Sequence, residues 1–309
     1  MTVSVFIDGA AGTTGLEIRE RLAGRTDLAL VILDDAQRKD EGARRHALND
    51  SDFAILCLPD DAAREAVRLT AGGRTRIVDA STAHRVAAGW TYGFPELAVG
   101  HAARIAEARL VSNPGCYPTG FLALVRPLVD AGLVPADWPL SVHAVSGYSG
   151  GGKAMIAEFE GRRDDTAFRA YALGLGHKHV PEMQRHAGLA YPPIFTPAVA
   201  RTYRGMVVEV PLPLSALPDR PTLGAVRAAL EQAYADAPLI SVADADSSFV
   251  RIEEHAGTDR MTLRVQGDAA AGQARLIATL DNLGKGAGGA AVQNLNLMAG
   301  LDPLAGLVL

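Results

Sequence analysis

Residues 3–15 read Val3-Ser4-Val5-Phe6-Ile7-Asp8-Gly9-Ala10-Ala11-Gly12-Thr13-Thr14-Gly15. An apolar run of strand character passes directly into a glycine-rich turn, and the turn passes into a segment of helical spacing that continues to about Ala23. Glycines at positions 9, 12 and 15 let the backbone turn tightly and approach a pyrophosphate, whose charge meets free N–H groups and the positive end of the helix. The spacing is GxxGxxG rather than the commoner GxGxxG, so the strand-turn-helix context carries the reading. The competing reading is a Gly-rich turn without a ligand.

The pattern continues outward from that stretch. Apolar runs at Leu28–Leu33, Phe53–Leu58 and Arg76–Asp79 alternate with helical segments, one of them near Arg38–Ala47. Such β-α-β-α order predicts a Rossmann-type, doubly wound parallel sheet, with ligands at the carboxyl ends of its strands. Beyond Pro139 the runs lengthen and alternate, at Leu140–Val145, Gly205–Pro211, Phe249–Glu253, Met261–Val265 and Gln273–Leu280. These predict a mostly antiparallel sheet with a few helices, an α+β catalytic and oligomerisation domain. Gly284–Met298 opens on glycines and continues as a final helix. The expected division is a dinucleotide-binding domain from residues 1–115 and 282–309, closed by that helix, and a second domain from residues 116–281.

A chain of 309 residues with 48% hydrophobic content can bury a large core in two domains. A formal charge of -5 provides no global basic field, so composition gives no support to a nucleic-acid partner. The N-terminus lacks a basic n-region and a long apolar h-region, and no window reaches the length of a membrane span. The expectation is a cytoplasmic protein with no membrane contact. Its two cysteines, Cys57 and Cys116, read as free thiols. Cys57 sits in a strand-like run and reads as core packing.

Three further stretches bear on chemistry. After the second predicted strand, Asp34-Asp35-Ala36-Gln37-Arg38-Lys39 holds both an acid suited to a ribose hydroxyl and cations suited to a 2′-phosphate. The paired cations, Arg38 first, favour NADP, and the two aspartates argue for NAD. Ser112-Asn113-Pro114-Gly115-Cys116-Tyr117-Pro118-Thr119 forces a turn after a strand, and a helix starting near Pro118-Thr119 would put Cys116 at its positive end. That geometry suits a nucleophile attacking an acyl carbon, and a cysteine filling a tight turn is the alternative. His177-Lys178-His179-Val180-Pro181-Glu182 supplies two candidate acid-base groups. No cysteine or carboxylate spacing completes a metal set around them, so no metal is expected. A nicotinamide, a cysteine and a histidine are the parts that interconvert an acyl group and an aldehyde through a thioester.

Together with Ser146-Gly147-Tyr148-Ser149-Gly150-Gly151-Gly152-Lys153 and Lys285-Gly286-Ala287-Gly288-Gly289-Ala290-Ala291-Val292-Gln293-Asn294-Leu295-Asn296, these motifs resemble the N-acetyl-gamma-glutamyl-phosphate reductase family, in its shorter type, along the whole chain. Asp79–Arg85 and Tyr92–Glu96 also resemble segments that in the family lie beside cofactor and active site.

The resemblance implies NADPH-dependent reduction of N-acetyl-glutamyl 5-phosphate to the semialdehyde, in arginine biosynthesis. It implies Cys116 as nucleophile, helped by Asn113, with His177 as the acid or base, acting as an imidazolium, and His179 as the alternative. Glu182 would orient a histidine or the substrate. The cofactor would be held by Gly9, Gly12, Thr13, Thr14, Gly15, Arg38, Ser81, Gly150, Asn282 and Asn294. Ser146, Lys153, Arg201 and Arg204 are the candidates for holding substrate phosphate and carboxylate. A small acyl phosphate is the expected partner, and a homo-oligomer, dimer or tetramer, the expected assembly. The rival readings are an aspartate-semialdehyde dehydrogenase-like enzyme and a non-catalytic NADP-sensing regulator.

Overall fold

A computed structural model describes residues 2–70, 72–161, 166–244 and 248–309, which fall into two compact units. The first takes the chain up to Pro95, with Gly100–Gly115 and Ala287–Leu307. Its elements are β1 (Val3–Asp8), α1 (Thr13–Leu22), β2 (Leu28–Val31), α2 (Glu41–Asp50), β3 (Phe53–Leu56), α3 (Asp60–Leu69), β4 (Arg76–Asp79), β5 (Thr91–Tyr92), α4 (His101–Glu107) and β6 (Leu110–Ser112). The sheet is wholly parallel, in the order β2-β1-β3-β4-β6-β5.

Parallel strands covered on both faces must be apolar on both faces. Accordingly Val5, Ile7, Ile55 and Val78 join one buried cluster with residues of α1, and Phe6, Ala54, Leu56 and Ile77 join the other with residues of α2 and α3. Chain order reverses at β1, whose neighbours are β2 and β3, so the glycine turn after β1 lies at the switch point where such sheets hold ligands. Register places Asp8, Leu56, Asp79 and Ser112 in one row along the carboxyl edge. Asn113 to Gly115 therefore leave the sheet from the same edge as Gly9.

The second unit comprises Glu96–Val99, Cys116–Gly286 and Val308–Leu309. It contains α5 (Cys116–Asp130), β7 (Ser141–Gly147), α6 (Gly152–Glu160), β8 (Phe168–Ala170), α7 (Val180–Ala187), β9 (Ile194–Ala200), β10 (Met206–Leu212), α8 (Leu223–Ala233), β11 (Ile240–Val242), β12 (Met261–Asp268) and β13 (Gln273–Leu280). The last helix, α9 (Gly289–Ala299), belongs to the first unit. The seven-stranded sheet runs β11-β12-β13-β10-β7-β9-β8 and is mixed, mostly antiparallel, with parallel pairs β7/β9 and β11/β12. Buried Phe121, Leu122, Leu124 and Val125 make α5 the centre of this unit's core. At Gly120 a Cβ would stand 2.8 Å from a methyl of Val208, so only glycine allows α5 to lie this close to β10.

Several local expectations change. Phe249–Glu253 forms no strand, and β11, pairing parallel with β12, occupies that edge of the sheet instead. Strand β9 escapes periodicity because Pro197 interrupts it, a residue without an N–H that argues against a strand. Pairing with β8 begins only at Ala198, so Pro197 sits where no ladder donor is required on that side. Helix α5 starts at Cys116 rather than near Pro118-Thr119, because proline is tolerated in a first turn whose N–H groups lack helical partners. Around Arg38, a short turn at Gln37–Lys39 precedes α2, which starts at Glu41 once the Asp40 carboxylate caps the Ala43 N–H. Gly284–Gly288 forms a π-helical turn ahead of α9, and Asn282 to Gly286 stay with the second unit.

Candidate functional site

The first unit carries a glycine cradle after β1. Gly9 has φ +85, and a Cβ there would stand 2.3 Å from the Cys57 carbonyl oxygen. A Cβ at Gly15 would stand 2.5 Å from the Gly9 carbonyl oxygen, so helix and turn approach as only glycine permits. Gly12 is the N-cap of α1 and supplies no side chain, which leaves the first-turn N–H groups of Thr13 and Thr14 without a side-chain cap. This geometry fits a pyrophosphate.

The adjoining crevice is lined by Gly9, Asp8, Arg19, Asp35, Arg38 and Arg44 among others. Arg44, which sequence patterning did not single out, donates to Asp8 Oδ2 from Nε and Nη2 at 3.2 and 2.9 Å. Its only sequence signal is an arginine one turn into the helix after the charged loop. Asp34 is occupied locally, since its Oδ1 accepts from the N–H groups of Ala36 and Gln37 at 2.9 and 2.8 Å. Asp35 pairs with Arg38 at 3.2 Å, with side chains 92% and 44% exposed. Exposed pairs of this kind contribute little, so the Arg38 charge stays available to an anion.

Farther along the edge, Ser81 Oγ donates to Asp79 Oδ2 at 2.7 Å, and His84 Nδ1 meets the same oxygen at 2.6 Å. Asn113 is buried, its Nδ2 donating to Ala287 O at 2.9 Å and its Oδ1 accepting from Asn294 Nδ2 at 3.1 Å. The Asn113 amide is thus committed to holding the turn before Cys116. Asn294 Nδ2 also donates to Gly93 O at 2.8 Å, and Asn294 Oδ1 is buried with no partner among the described residues. A buried acceptor without a donor is what a ligand amide would satisfy.

The second unit carries the thiol. Cys116 opens a helix of 15 residues, whose positive end favours negative charge at that position. Gly286 packs against it, for a Cβ at Gly286 would stand 2.9 Å from Cys116 Cβ. By contrast, burial, then the carboxylates of Asp79 and Asp8, push the Cys57 thiol up to about 12, which makes it inert as a nucleophile.

The histidine segment leads into α7. Tyr117, His177 and Phe195 cluster edge-on, with His177 5.0 Å from Phe195 and 6.0 Å from Tyr117 between ring centroids. His177 Nδ1 accepts from the His179 backbone N–H at 3.1 Å, and Nε2 faces Tyr171 Oη at 3.4 Å. Burial, then the neighbouring Lys178, lower the His177 pKa to about 4. The resting ring is therefore neutral near pH 7, whereas the expectation from the sequence is an imidazolium. Tyr117 is raised well above the phenol range by burial, then by Tyr171 and Cys116. Burial and then the Cys116 charge raise Tyr171, against its hydrogen bond with Tyr117, to about 12. The thiol thus lies within electrostatic reach of both phenols. His179 is buried at the N-cap of α7, and Glu182 is buried in that helix's first turn.

The other expected residues separate. Ser146 is buried, its Oγ donating to Gly147 O at 3.0 Å, and Gly150 packs beside that hydroxyl. Asn282 belongs to this unit rather than to the glycine cradle, and its amide ties loops together, accepting from Gly205 N–H and donating to Ser149 Oγ, both at 2.9 Å. Arg204 lies 3.4 Å from buried Asp281, and Arg201 donates to Phe159 O at 3.3 Å. Lys153 is exposed on α6. A buried pair missed by sequence reasoning braces the turn below the thiol: Lys285 Nζ contacts both oxygens of Glu96 at 2.8 and 2.9 Å. Among the described residues no cluster of His, Cys, Asp and Glu could hold a metal ion, and no helix is long and apolar enough to cross a membrane.

A parallel sheet followed by a mixed, mostly antiparallel sheet is a fold shared with semialdehyde dehydrogenases. Residues 116–282 match the family model described as semialdehyde dehydrogenase, dimerisation domain. The fold is similar to aspartate semialdehyde dehydrogenase II from Vibrio cholerae, with TM-score 0.75 and 18% identity over 97% of this chain and 99% of that one. It is also similar to the Candida albicans aspartate semialdehyde dehydrogenase solved with NADP, with TM-score 0.70 and 12% identity over 97% and 99% of the two chains. In sequence, the chain is 55% identical to N-acetyl-gamma-glutamyl-phosphate reductase of Brucella ovis, over 97% of this chain and 100% of that protein. The chain belongs to the N-acetyl-gamma-glutamyl-phosphate reductase family, a family of oxidoreductases.

Proposed function

We propose that this chain reduces N-acetyl-L-glutamyl 5-phosphate to N-acetyl-L-glutamate 5-semialdehyde with release of phosphate, as a step of arginine biosynthesis, using NADPH and a thioester on Cys116. The observation that carries the reading is Cys116 at the positive end of α5, in one unit with a neutral His177 and two phenols that its charge perturbs.

The Cys116 thiolate forms a bond to the acyl carbon, and the carbon–oxygen bond to phosphate breaks, leaving a thioester and free phosphate. First-turn N–H groups of α5 hold the carbonyl oxygen as it gains charge. A dinucleotide held by the glycine cradle would supply one hydride to that carbon. His177 holds the same oxygen through Nε2–H while it bears the negative charge, and keeps its proton as the carbon–sulfur bond breaks, the carbonyl re-forms and the thiolate returns. A neutral imidazole suits this work, because it donates without carrying its own charge into the site.

For the dinucleotide, Gly9, Gly12, Thr13, Thr14 and Gly15 would hold the pyrophosphate, Arg38 the 2′-phosphate, and Asn294 Oδ1 an amide donor of the nicotinamide half. Occupation of Asp34 by its own turn supports NADP over NAD. Arg201, Arg204 and Lys153 remain the cations proposed for substrate phosphate and carboxylate. A homo-oligomer is proposed from the description of the matched family model and from exposed Phe168 and Ile194 on β8 and β9.

The test is phosphate-requiring oxidation of N-acetyl-glutamate semialdehyde with NADP⁺, repeated with NAD⁺ and with aspartate semialdehyde. Turnover of the acetylated substrate with NADP⁺ is expected. Turnover confined to aspartate semialdehyde, or to NAD⁺, would refute the substrate or the coenzyme respectively.

A further inference from the structure

The hydrogen bonds around His177 form a series with a fixed direction. The His179 backbone N–H donates to His177 Nδ1 at 3.1 Å, so Nδ1 carries the lone pair and the ring proton is on Nε2. Nε2 meets Tyr171 Oη at 3.4 Å. Tyr171 Oη donates to Tyr117 Oη at 3.3 Å, and Tyr117 Oη donates to the Ala198 carbonyl oxygen at 3.0 Å. Both ends are backbone groups that cannot change sign: an N–H only donates and a carbonyl oxygen only accepts. Reversing either phenol would set donor against donor at one end and leave the Ala198 carbonyl without its proton. Links of 3.3 and 3.4 Å are loose, as catalytic hydrogen bonds often are before a substrate tightens them.

We propose that Tyr171 is a positioning residue for His177, holding in place the ring whose Nε2–H form the His179 amide sets, and that Tyr117 holds Tyr171 to that task. The proposal rests on the reading of His177 as the donor to the substrate oxygen. Three elements contribute: Tyr117 from α5, Ala198 from β9, and Tyr171 from the segment between β8 and α7. Phe195, edge-on to both Tyr117 and His177, closes the cluster. The groups that face His177 are Lys178 and His179 from its own segment and the phenols Tyr171 and Tyr117, with the Cys116 charge reaching both phenols. Because burial holds both phenols protonated, the ring keeps its place when Cys116 ionises, and the substrate oxygen then takes Nε2–H from its loose link to Tyr171 Oη.

The experiment is ¹⁵N NMR of the full chain labelled at histidine, with His177 assigned from His177→Asn, beside steady-state kinetics. Wild type is expected to show a protonated Nε2 and an unprotonated Nδ1 near neutral pH. Tyr171→Phe should keep the tautomer, which the His179 N–H sets, but move the Nε2 resonance and lower kcat roughly tenfold, the scale of one lost hydrogen bond, with KM little changed. Tyr117→Phe should do the same more weakly. Should Tyr171→Phe not fold, 3-fluorotyrosine at 171, which keeps the hydroxyl, should move the Nε2 resonance without changing the tautomer. An unmoved Nε2 resonance and unaltered kcat in Tyr171→Phe, or an unmoved Nε2 resonance with 3-fluorotyrosine, would overturn the proposal. The Nε2 resonance is read without turnover, so an inactive wild type would refute the reductase reading and leave this one separately decided.

Discussion

The backbone N–H of His179 donates to Nδ1 of His177 at 3.1 Å. Two residues that the sequence presents as rivals for one role are therefore partners: His179 supplies the backbone that orients His177, and its ring is buried at the N-cap of α7. Replacing His177 with Asn should lower kcat by a factor on the order of 10² to 10⁴. The loss for His179→Asn should be smaller, since its N–H survives the change. The reverse ranking in steady-state kinetics would exchange the two assignments.

Acid sensitivity follows from the same ring. His177 is lowered to about 4 from 6.5 by burial and Lys178, so between those pH values the unfolded chain binds the extra proton. Stability should fall as pH drops through that window on this account. The cost is complete below the folded value and vanishes above the unfolded one. His177→Asn should flatten this part of the stability curve, as measured by urea unfolding from pH 7 to 4. An unchanged slope would contradict the neutral assignment.

Cys116→Ser should abolish reduction while leaving NADPH affinity within about twofold, because the glycine cradle belongs to the first unit and Cys116 to the second. Calorimetric titration with NADPH alongside the assay checks both halves of that expectation. Near-wild-type turnover would remove the nucleophile assignment.

The turn beneath the thiol should be intolerant of added volume. In Gly286→Ala the new Cβ would stand 2.9 Å from both Cys116 Cβ and the Asp281 carbonyl oxygen. Overpacking of this kind costs about 1–3 kcal/mol. We expect that loss in denaturant unfolding, with a slower alkylation of Cys116 by iodoacetamide. Lys285→Met should cost more, about 3–5 kcal/mol, because it leaves the Glu96 carboxylate buried and without its bidentate cation. Adding Glu96→Gln should recover part of that loss.

Coenzyme choice should depend on Arg38. With Asp34 occupied by its own turn and Asp35 only loosely paired, Arg38→Ser should raise the KM for NADPH about tenfold or more and leave that for NADH almost unchanged. Equal effects on both coenzymes would assign the arginine a general rather than a discriminating role.

The cradle at Asp8–Gly15 was legible because its physics is local: strand, positive-φ turn and helix start are adjacent in sequence, and glycine there answers to its own neighbours. The same holds for Cys116, whose helix start depends on residues within one turn. Asp34 reads as an available acid in the sequence, yet its carboxylate is spent on N–H groups two and three residues ahead, a competition that residue type alone does not reveal. Strand β9 was hidden because Pro197 is acceptable only where a neighbouring strand is missing, which depends on the length of β8.

The parallel sheet, the thiol and the histidine pair thus follow from patterns a few residues long. The tertiary structure decided the rest: that Arg44 neutralises Asp8 across 36 residues, that Lys285 meets Glu96 across 189, and that Tyr171 links His177 to Tyr117 across 54. Such contacts join segments that only packing brings together, and burial sets their protonation states. A histidine reads as a titrating group in the sequence, and its neutral form arises only once packing has buried it beside Lys178, with a backbone amide and a phenol set against its two nitrogens.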